Sequence, residues 1–378
     1  MKQGWTYKKL GEVCNIDYGT RVVRSRDAGS IYPVYGGGGA TFKMDAYNRE
    51  DCMVISRFGM SEQCTRFVKG KFFLNDSGLT LSMKEPCMIQ AFMDWEVFSL
   101  NNIIYSLGRG AAQKNLDTKA LADVILSYPN SLSEQQRIVS RLDSAFAHID
   151  EMKANAEKQV NEARALFQKA LSKAMEPKEG WVEKKMKDLT TKIGSGATPR
   201  GGSKVYISEG VSFVRSLNVH YDVFKYKDLA YINEEAATQL NGVELKKGDV
   251  LFNITGASIA RCCVMPEDIL PARVNQHVSI LRPRTQLVIP RFLCLGLISS
   301  EHQKKLLEIG VAGSTRQAVT KSDLEKHTFP IPPLSEQQRI VSRLDTLAKN
   351  VKALEENQRK VMAECDALKQ ALLRKVFE

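Results

Sequence analysis

Arginine, lysine, asparagine and glutamine carry forked or paired hydrogen-bonding groups that match the edges of DNA base pairs and can also meet phosphate. In this chain they gather in stretches that read as loops. The first set is Arg21, Arg24, Arg26, Lys43, Arg57, Arg66, Gln113, Lys114 and Asn115. The second is Arg200, Lys204, Arg215, Asn218, Arg261, Asn275, Gln276, Arg316 and Gln317. Any one of them is more often a solvated charge or half of a local ion pair, so the inference rests on the set.

Groups for bond-making chemistry are not assembled in the same way. The 5 histidines are scattered without ligand spacing and the 8 cysteines form no Cys-x-x-Cys pair, so no metal site is expected and the thiols read as reduced core residues. An amino-methyltransferase needs an Asn/Asp-Pro-Pro-aromatic motif to receive its target amine, but Pro332-Pro333 follows Ile331 and precedes Leu334. The glycines Gly36 to Gly39 run into Ala40-Thr41 where a phosphate-binding loop requires Lys-Ser/Thr, so they read as a flexible turn. No catalytic residue and no cofactor is assigned to this chain.

The elements that position the polar sets are duplicated. Leu-Ser-Glu-Gln-Gln-Arg-Ile-Val-Ser-Arg-Leu-Asp runs from Leu132 to Asp143 and again from Leu334 to Asp345. Each copy opens a long amphipathic segment and follows a larger irregular block, which divides the chain into block 1–131, helix 132–176, block 177–333 and helix 334–378. A pseudo-twofold molecule is implied, and its natural target is something with two similar, spaced ends, such as duplex DNA with two half-sites.

Apolar residues at Ile138, Leu142, Ile149 and Met152, and at Ile340, Leu344, Leu347, Val351, Leu354, Val361, Leu368 and Leu372, repeat at heptad spacing, with Gln358 the polar interruption. Two equal seams in one chain predict an intramolecular antiparallel coiled coil. Ser133 with Gln136 and Ser335 with Gln338 have the spacing of a capping box at each start.

The blocks share a mixed α/β plan. Gly4-Trp5 and Gly180-Trp181 open them. Strand-like runs follow at Cys52 to Gly59 and Asp249 to Gly256, then apolar helix candidates at Ile89 to Leu107 and Pro290 to Leu307. Short capped helices from Asp117 and Thr320 lead to strands ending at Pro129 and Pro330. Between these elements the loops diverge, so a common scaffold carries different readers.

A net charge of +11 lies mostly in the blocks, while the first helical stretch is balanced, which favours a polyanion for the blocks and protein contacts for that helix. No apolar run reaches the length of a membrane span and none follows the basic N-terminus, so a cytoplasmic protein is expected.

With these features together, the chain resembles the specificity subunits of type I restriction-modification systems. The resemblance rests on the Leu132 and Leu334 runs after a proline, on Gly248-Asp-Val-Leu-Phe252, on Thr255-Gly-Ala-Ser-Ile259 and on Val274-Asn-Gln-His-Val278. It implies a non-catalytic subunit with two target-recognition domains, each reading half of a bipartite DNA site. The helices would space these domains and dock two methyltransferase subunits. S-adenosylmethionine, ATP and Mg would then belong to the methyltransferase and motor-nuclease (restriction) partners. The first block is shorter and lacks the Gly-Ala-Ser-Ile stretch. Two other readings fit the same sequence: the specificity subunit of a type IIB-like system, and a two-headed scaffold that reads no sequence.

Overall fold

In a computed structural model, residues 2–84, 86–111, 113–311 and 318–378 are described. The chain folds into two compact units, residues 1–157 with 359–378, and residues 158–358. The boundary therefore falls within the long helices and not at their junctions with the blocks. The helix Leu132–Met175 gives its first part to one unit and its last part to the other, and Leu334–Phe377 does the reverse. At 1.5 Å per residue, each 44-residue helix is about 66 Å long.

In the first unit a six-stranded sheet has the order Cys14–Tyr18, Gly78–Met83, Arg49–Ser56, Thr65–Leu74, Tyr32–Tyr35, Lys43–Met44. All its pairings are antiparallel except that of Tyr32–Tyr35 with Thr65–Leu74. One sheet face buries Met53, Ile55, Leu79 and Leu81 against Phe92, Met93 and Val97 of the helix Gln90–Ser99. The apolar run predicted as one helix is broken at Leu100. Asn101 starts a second helix, Asn101–Ser106, and its side-chain oxygen accepts from the backbone N–H groups of Cys64 and Thr65, both at 3.0 Å.

The second unit holds two four-stranded sheets. One is ordered Thr190–Ser195, Val278–Pro283, Val250–Asn253, Cys262–Val264, and the other Tyr206–Ile207, Ala230–Ile232, Val211–Val214, Ala272–Val274. The first packs on Pro290–Leu297, whose leading proline lacks the N–H that a first helical position leaves unpaired. Here too the helix candidate divides, continuing as Ser300–Val311. In both units an antiparallel pair joins the block's first strand to its last, Trp5–Lys9 with Ile125–Pro129 and Val182–Lys185 with Thr328–Ile331. All 8 cysteines are unbridged, and 6 of them are buried.

The starts of the long helices correct the expected capping boxes. Leu132 and Leu334 are already helical, which puts the serines inside the first turn. Ser131 supplies the cap at the first helix, its hydroxyl accepting from Glu134 N–H, while Pro333 precedes the second. The duplicated run instead works through its first glutamine. Gln135 is fully buried, accepts from Ile89 N–H at 2.8 Å, and donates to the carbonyls of Cys87 (3.2 Å) and Pro129 (2.8 Å). Gln337, equally buried, accepts from Ile289 N–H at 2.8 Å and donates to Leu287 and Pro332, both at 2.9 Å.

The helices pair antiparallel within each unit. In the first, Leu142 and Phe146 meet Leu373, and Lys153 and Lys369 reach Asp366 and Asp150 across the pair. In the second, Leu171 and Met175 join the core with Ile340, Val341 and Leu344. Arg164 meets Glu355 at 2.6 Å, and Gln358 donates to Gln159 at 2.9 Å, which partners the one polar seam position. Leu142, Ile149, Ile340 and Leu344 are buried in the seam, with Ile138, Leu347, Val351, Leu354, Val361 and Leu372 half-buried. Met152 and Leu368 are not: they are 51% and 47% exposed. Lys153 and Lys369 take the inward positions instead, laying aliphatic stems along the seam and carrying their charges to the opposite helix.

Removing the glutamine staple leaves three backbone groups without that partner, one buried and two part-buried, at up to about 1–3 kcal/mol each before relaxation. Gln337→Ala is expected to destabilise the second unit by about 2–4 kcal/mol in urea unfolding. Gln338→Ala, at the next and exposed position, should shift stability by no more than about 0.5 kcal/mol.

Candidate nucleic-acid interface

In the first unit, the polar residues expected to read DNA divide into two kinds. Arg66 is committed to the fold: its guanidinium donates to the carbonyls of Gly38 and of Gly37, the latter at 2.8 Å, and burial lowers its pKa. The Gly37 carbonyl also accepts from Ser56 Oγ at 2.5 Å. The glycine turn is thus pinned at its centre, contrary to the flexible turn expected from composition. Arg57 is half-buried between aromatic rings, 4.7 Å from Tyr18 and 4.5 Å from Phe58. Lys114 lies 3.9 Å over the Tyr105 ring, and the side-chain oxygen of Asn115 accepts from Gly59 N–H at 3.3 Å.

These contacts gather Gly37, Gly38, Arg57, Phe58, Lys114 and Asn115, with exposed Gln113 alongside, at one end of the sheet. Arg21, Arg24 and Lys43 are exposed, and Arg26 is exposed but paired with Asp27, whose pKa it lowers. Gly29 N–H donates to the Lys43 carbonyl at 2.6 Å, so the basic helix Arg24–Asp27 and Lys43 belong to neighbouring backbone.

In the second unit, Asn218 and Asn275 serve the backbone. Asn218 is fully buried, accepts from Arg215 N–H at 3.0 Å and donates to the Lys225 carbonyl at 2.9 Å. Asn275 is 8% exposed and closes a turn by accepting from His277 N–H at 3.1 Å. Arg215 donates to the Asp228 carbonyl and lies 5.5 Å from the Tyr206 ring. Asn218, with both amide atoms engaged, cannot reach a base without leaving those partners.

Arg200, Lys204 and Gln276 are exposed, and Arg261 is half-exposed, 6.0 Å from the Tyr221 ring. Gln276 accepts from Thr198 Oγ1 and lies 3.3 Å from His277 Nε2, while His277 Nδ1 meets Thr255 Oγ1 at 2.8 Å. Thr198, Gln276, His277 and Thr255 therefore form one chain of polar groups at the ends of three segments. The close approach depends on Gly196, where a Cβ would collide with the Val274 carbonyl. Arg316 and Gln317 lie outside the described residues; Ala318, just after them, bridges to Thr255.

The sequence reading missed Thr198, Thr255 and His277, since a histidine without metal-ligand spacing drew no attention. The signal was present in Thr255-Gly-Ala-Ser-Ile259 and Val274-Asn-Gln-His-Val278, whose turns meet. Chemically, each unit presents donors and acceptors fixed by turns, with basic side chains beside them. That arrangement suits recognition of base edges and phosphates, not bond cleavage. Among the described residues, no group of three or more His, Cys, Asp or Glu could hold a metal, and no helix is long and apolar enough to cross a membrane.

Comparison with known proteins accords with this geometry. The specificity subunit of the EcoBI type I restriction enzyme of Escherichia coli is 25% identical over 293 residues, which are 70% of this chain and 60% of that protein. The chain thus spans about three fifths of the length of that curated relative. A solved chain from work on complex assembly and conformational transition of the type I R-M system matches at a TM-score of 0.76 and 20% identity, covering 100% of this chain and 98% of its own. The HsdS subunit from Thermoanaerobacter tengcongensis matches at 0.54 and 20%, covering 100% and 97%. At such identities these two likenesses speak to the fold. Residues 2–162 and 178–363, both blocks with most of their helices, match the type I restriction modification DNA specificity domain, and the chain belongs to that family.

Proposed function

We propose that this chain is the non-catalytic specificity subunit of a type I restriction-modification complex, acting in the cytoplasm. Each block reads one half of a bipartite DNA site, and the paired helices dock two methyltransferase subunits. Those partners supply S-adenosylmethionine and the adenine-N6 methylation chemistry, and a motor-nuclease partner supplies ATP-driven cleavage with Mg. The observation that carries this reading is the pairing of a duplicated, staple-held scaffold with two different sets of exposed polar loops. A scaffold that only bridged proteins would have no use for two unlike polar surfaces on matched frames.

The experiment is reconstitution. The purified chain alone is expected to transfer no methyl group to DNA, and site-specific methylation should appear when its methyltransferase is added. Turnover of S-adenosylmethionine by the lone chain would overturn the assignment. If one partner polypeptide both methylates and cleaves, the related two-sided system is the correct one.

Exposed and committed residues should separate in a second test. Arg200→Ala is expected to leave the unfolding transition unchanged and weaken duplex binding, by about 1–3 kcal/mol if it reads a base or with a salt slope smaller by about 1 if it meets phosphate. Arg66→Ala should lower the unfolding transition of the first unit by freeing the glycine turn. Equal binding by wild type and Arg200→Ala across a salt series would remove Arg200 from the interface.

A further inference from the structure

The segment Asn218 to Lys225 forms a tight hairpin whose tip has no part in the contacts proposed so far. His220 N–H donates to the Val223 carbonyl at 2.9 Å, Lys225 N–H to the Asn218 carbonyl at 2.7 Å, and Val219 bridges Phe224. Tyr221 and Asp222 make the tip, with Asp222 at a φ of 60°. The backbone of this hairpin and the Asp222 carboxylate are bonded into the body of the unit. Asn253 donates to the Ser216 carbonyl at 2.9 Å and to Val219 at 3.2 Å, and Asp222 N–H donates to the Cys262 carbonyl at 2.9 Å. The Asp222 carboxylate pairs with Arg291, which in turn donates to Asp345 in the duplicated run at 2.8 Å.

Apart from the Lys225 side chain, what remains outside is largely apolar. Tyr221 is 49% exposed and Val223 53%, with Leu217 and Tyr226 exposed beside them. A rigidly held tip that leaves a ring and a branched side chain in water is organised in advance for a contact made elsewhere.

The charge around it selects the occupant. Lys225 and Lys227 are exposed, and Arg261 faces the Tyr221 ring. Burial, then the charges of the same Lys225 and Arg261, lower the pKa of His220. Of the carboxylates nearby, Asp222 is paired with Arg291, while Asp268, which accepts the Tyr226 hydroxyl at 3.2 Å, and Asp228 keep their charge against those of Lys225, Lys227 and Arg261. The hairpin is also continuous with the polar chain described above, because Asn253, two residues before Thr255, holds its base.

We infer that the Tyr221–Val223 tip is a DNA contact of the second block, an apolar wedge that packs against bases and deoxyribose while Lys225, Lys227 and Arg261 meet phosphates. Apolar side chains set between base steps and aromatic rings against bases are the side-chain chemistry that such a tip offers. The inference rests on the DNA-reading function proposed above, and Arg291 is the strut that holds the wedge in place.

The test uses the full chain assembled with its methyltransferase and a duplex carrying the site found by methylome sequencing. A benzophenone amino acid is placed at position 221 or, as control, at position 182, where Val182 is 55% exposed on the strand Val182–Lys185. Ultraviolet crosslinking to DNA is expected from position 221 and not from 182. Tyr221→Ala combined with Val223→Ala should weaken binding about tenfold or more without shifting the unfolding transition, and Tyr221→Phe should bind as wild type. Absence of a crosslink in a complex that still binds the duplex, crosslinking to a protein subunit instead, or unchanged affinity of the double variant would overturn the wedge. Failure of the wild-type complex to discriminate any duplex would instead overturn the function on which it rests.

Discussion

In each unit a helix N-terminus, a terminal strand and the first turn of a long helix must be held in one arrangement, and a single buried glutamine amide holds all three. Gln135 and Gln337 have no exposed surface, and each satisfies two carbonyls and one N–H of other segments. A polar amide in a core is costly unless it is fully bonded, and full bonding admits few alternatives. The staple therefore fixes the direction in which each long helix leaves its block. Around it the packing recurs as well: Trp5 meets Phe92 edge-on at 6.0 Å, and Trp181 meets Phe292 at 6.3 Å.

On that frame the blocks are free to differ. The first carries a six-stranded sheet with a pinned glycine turn, the second two four-stranded sheets with a polar chain across three turns. Even the duplicated aspartates are met differently, Asp143 by the Trp95 indole and Asp345 by Arg291. The divergence reaches the sheets themselves, while the helix starts and the stapled terminal strands recur. Because each long helix ends in the other unit's core, through Leu171 and Met175 on one side and Leu373 and Phe377 on the other, a block and the two helix portions it holds form one cooperative structure.

The long helices and the antiparallel pairing were legible because a twelve-residue repeat and an apolar period of three and four leave few alternatives. The staple was not: a glutamine on an amphipathic helix reads as surface, and only the carbonyls of Cys87 and Pro129 make it interior. The seam was mis-phased at Met152 and Leu368 because lysine stems can fill inward positions that hydropathy reserves for apolar residues. For the candidate interface, sequence located the loops but could not sort their members. Arg66, Asn218 and Asn275 have the same composition signal as Arg200 and Gln276, yet Arg66 bonds to the distant Gly37 backbone and the two asparagines to the backbone of their own turns. For Arg66 the distinction depends on a long-range contact, which residue type and spacing do not encode, and for the asparagines on the exact turn their backbone adopts.

The central claim is that two independent readers sit on one repeated frame. The most direct measurement exchanges residues 1–131 for the corresponding block of a relative, leaving Gln135 in place, and compares methylomes of cells expressing each chain with the methyltransferase. The account predicts that one half of the methylated sequence changes and the other half stays as it was. A chimaera that remains folded and partner-bound, yet changes both halves or neither, would contradict it.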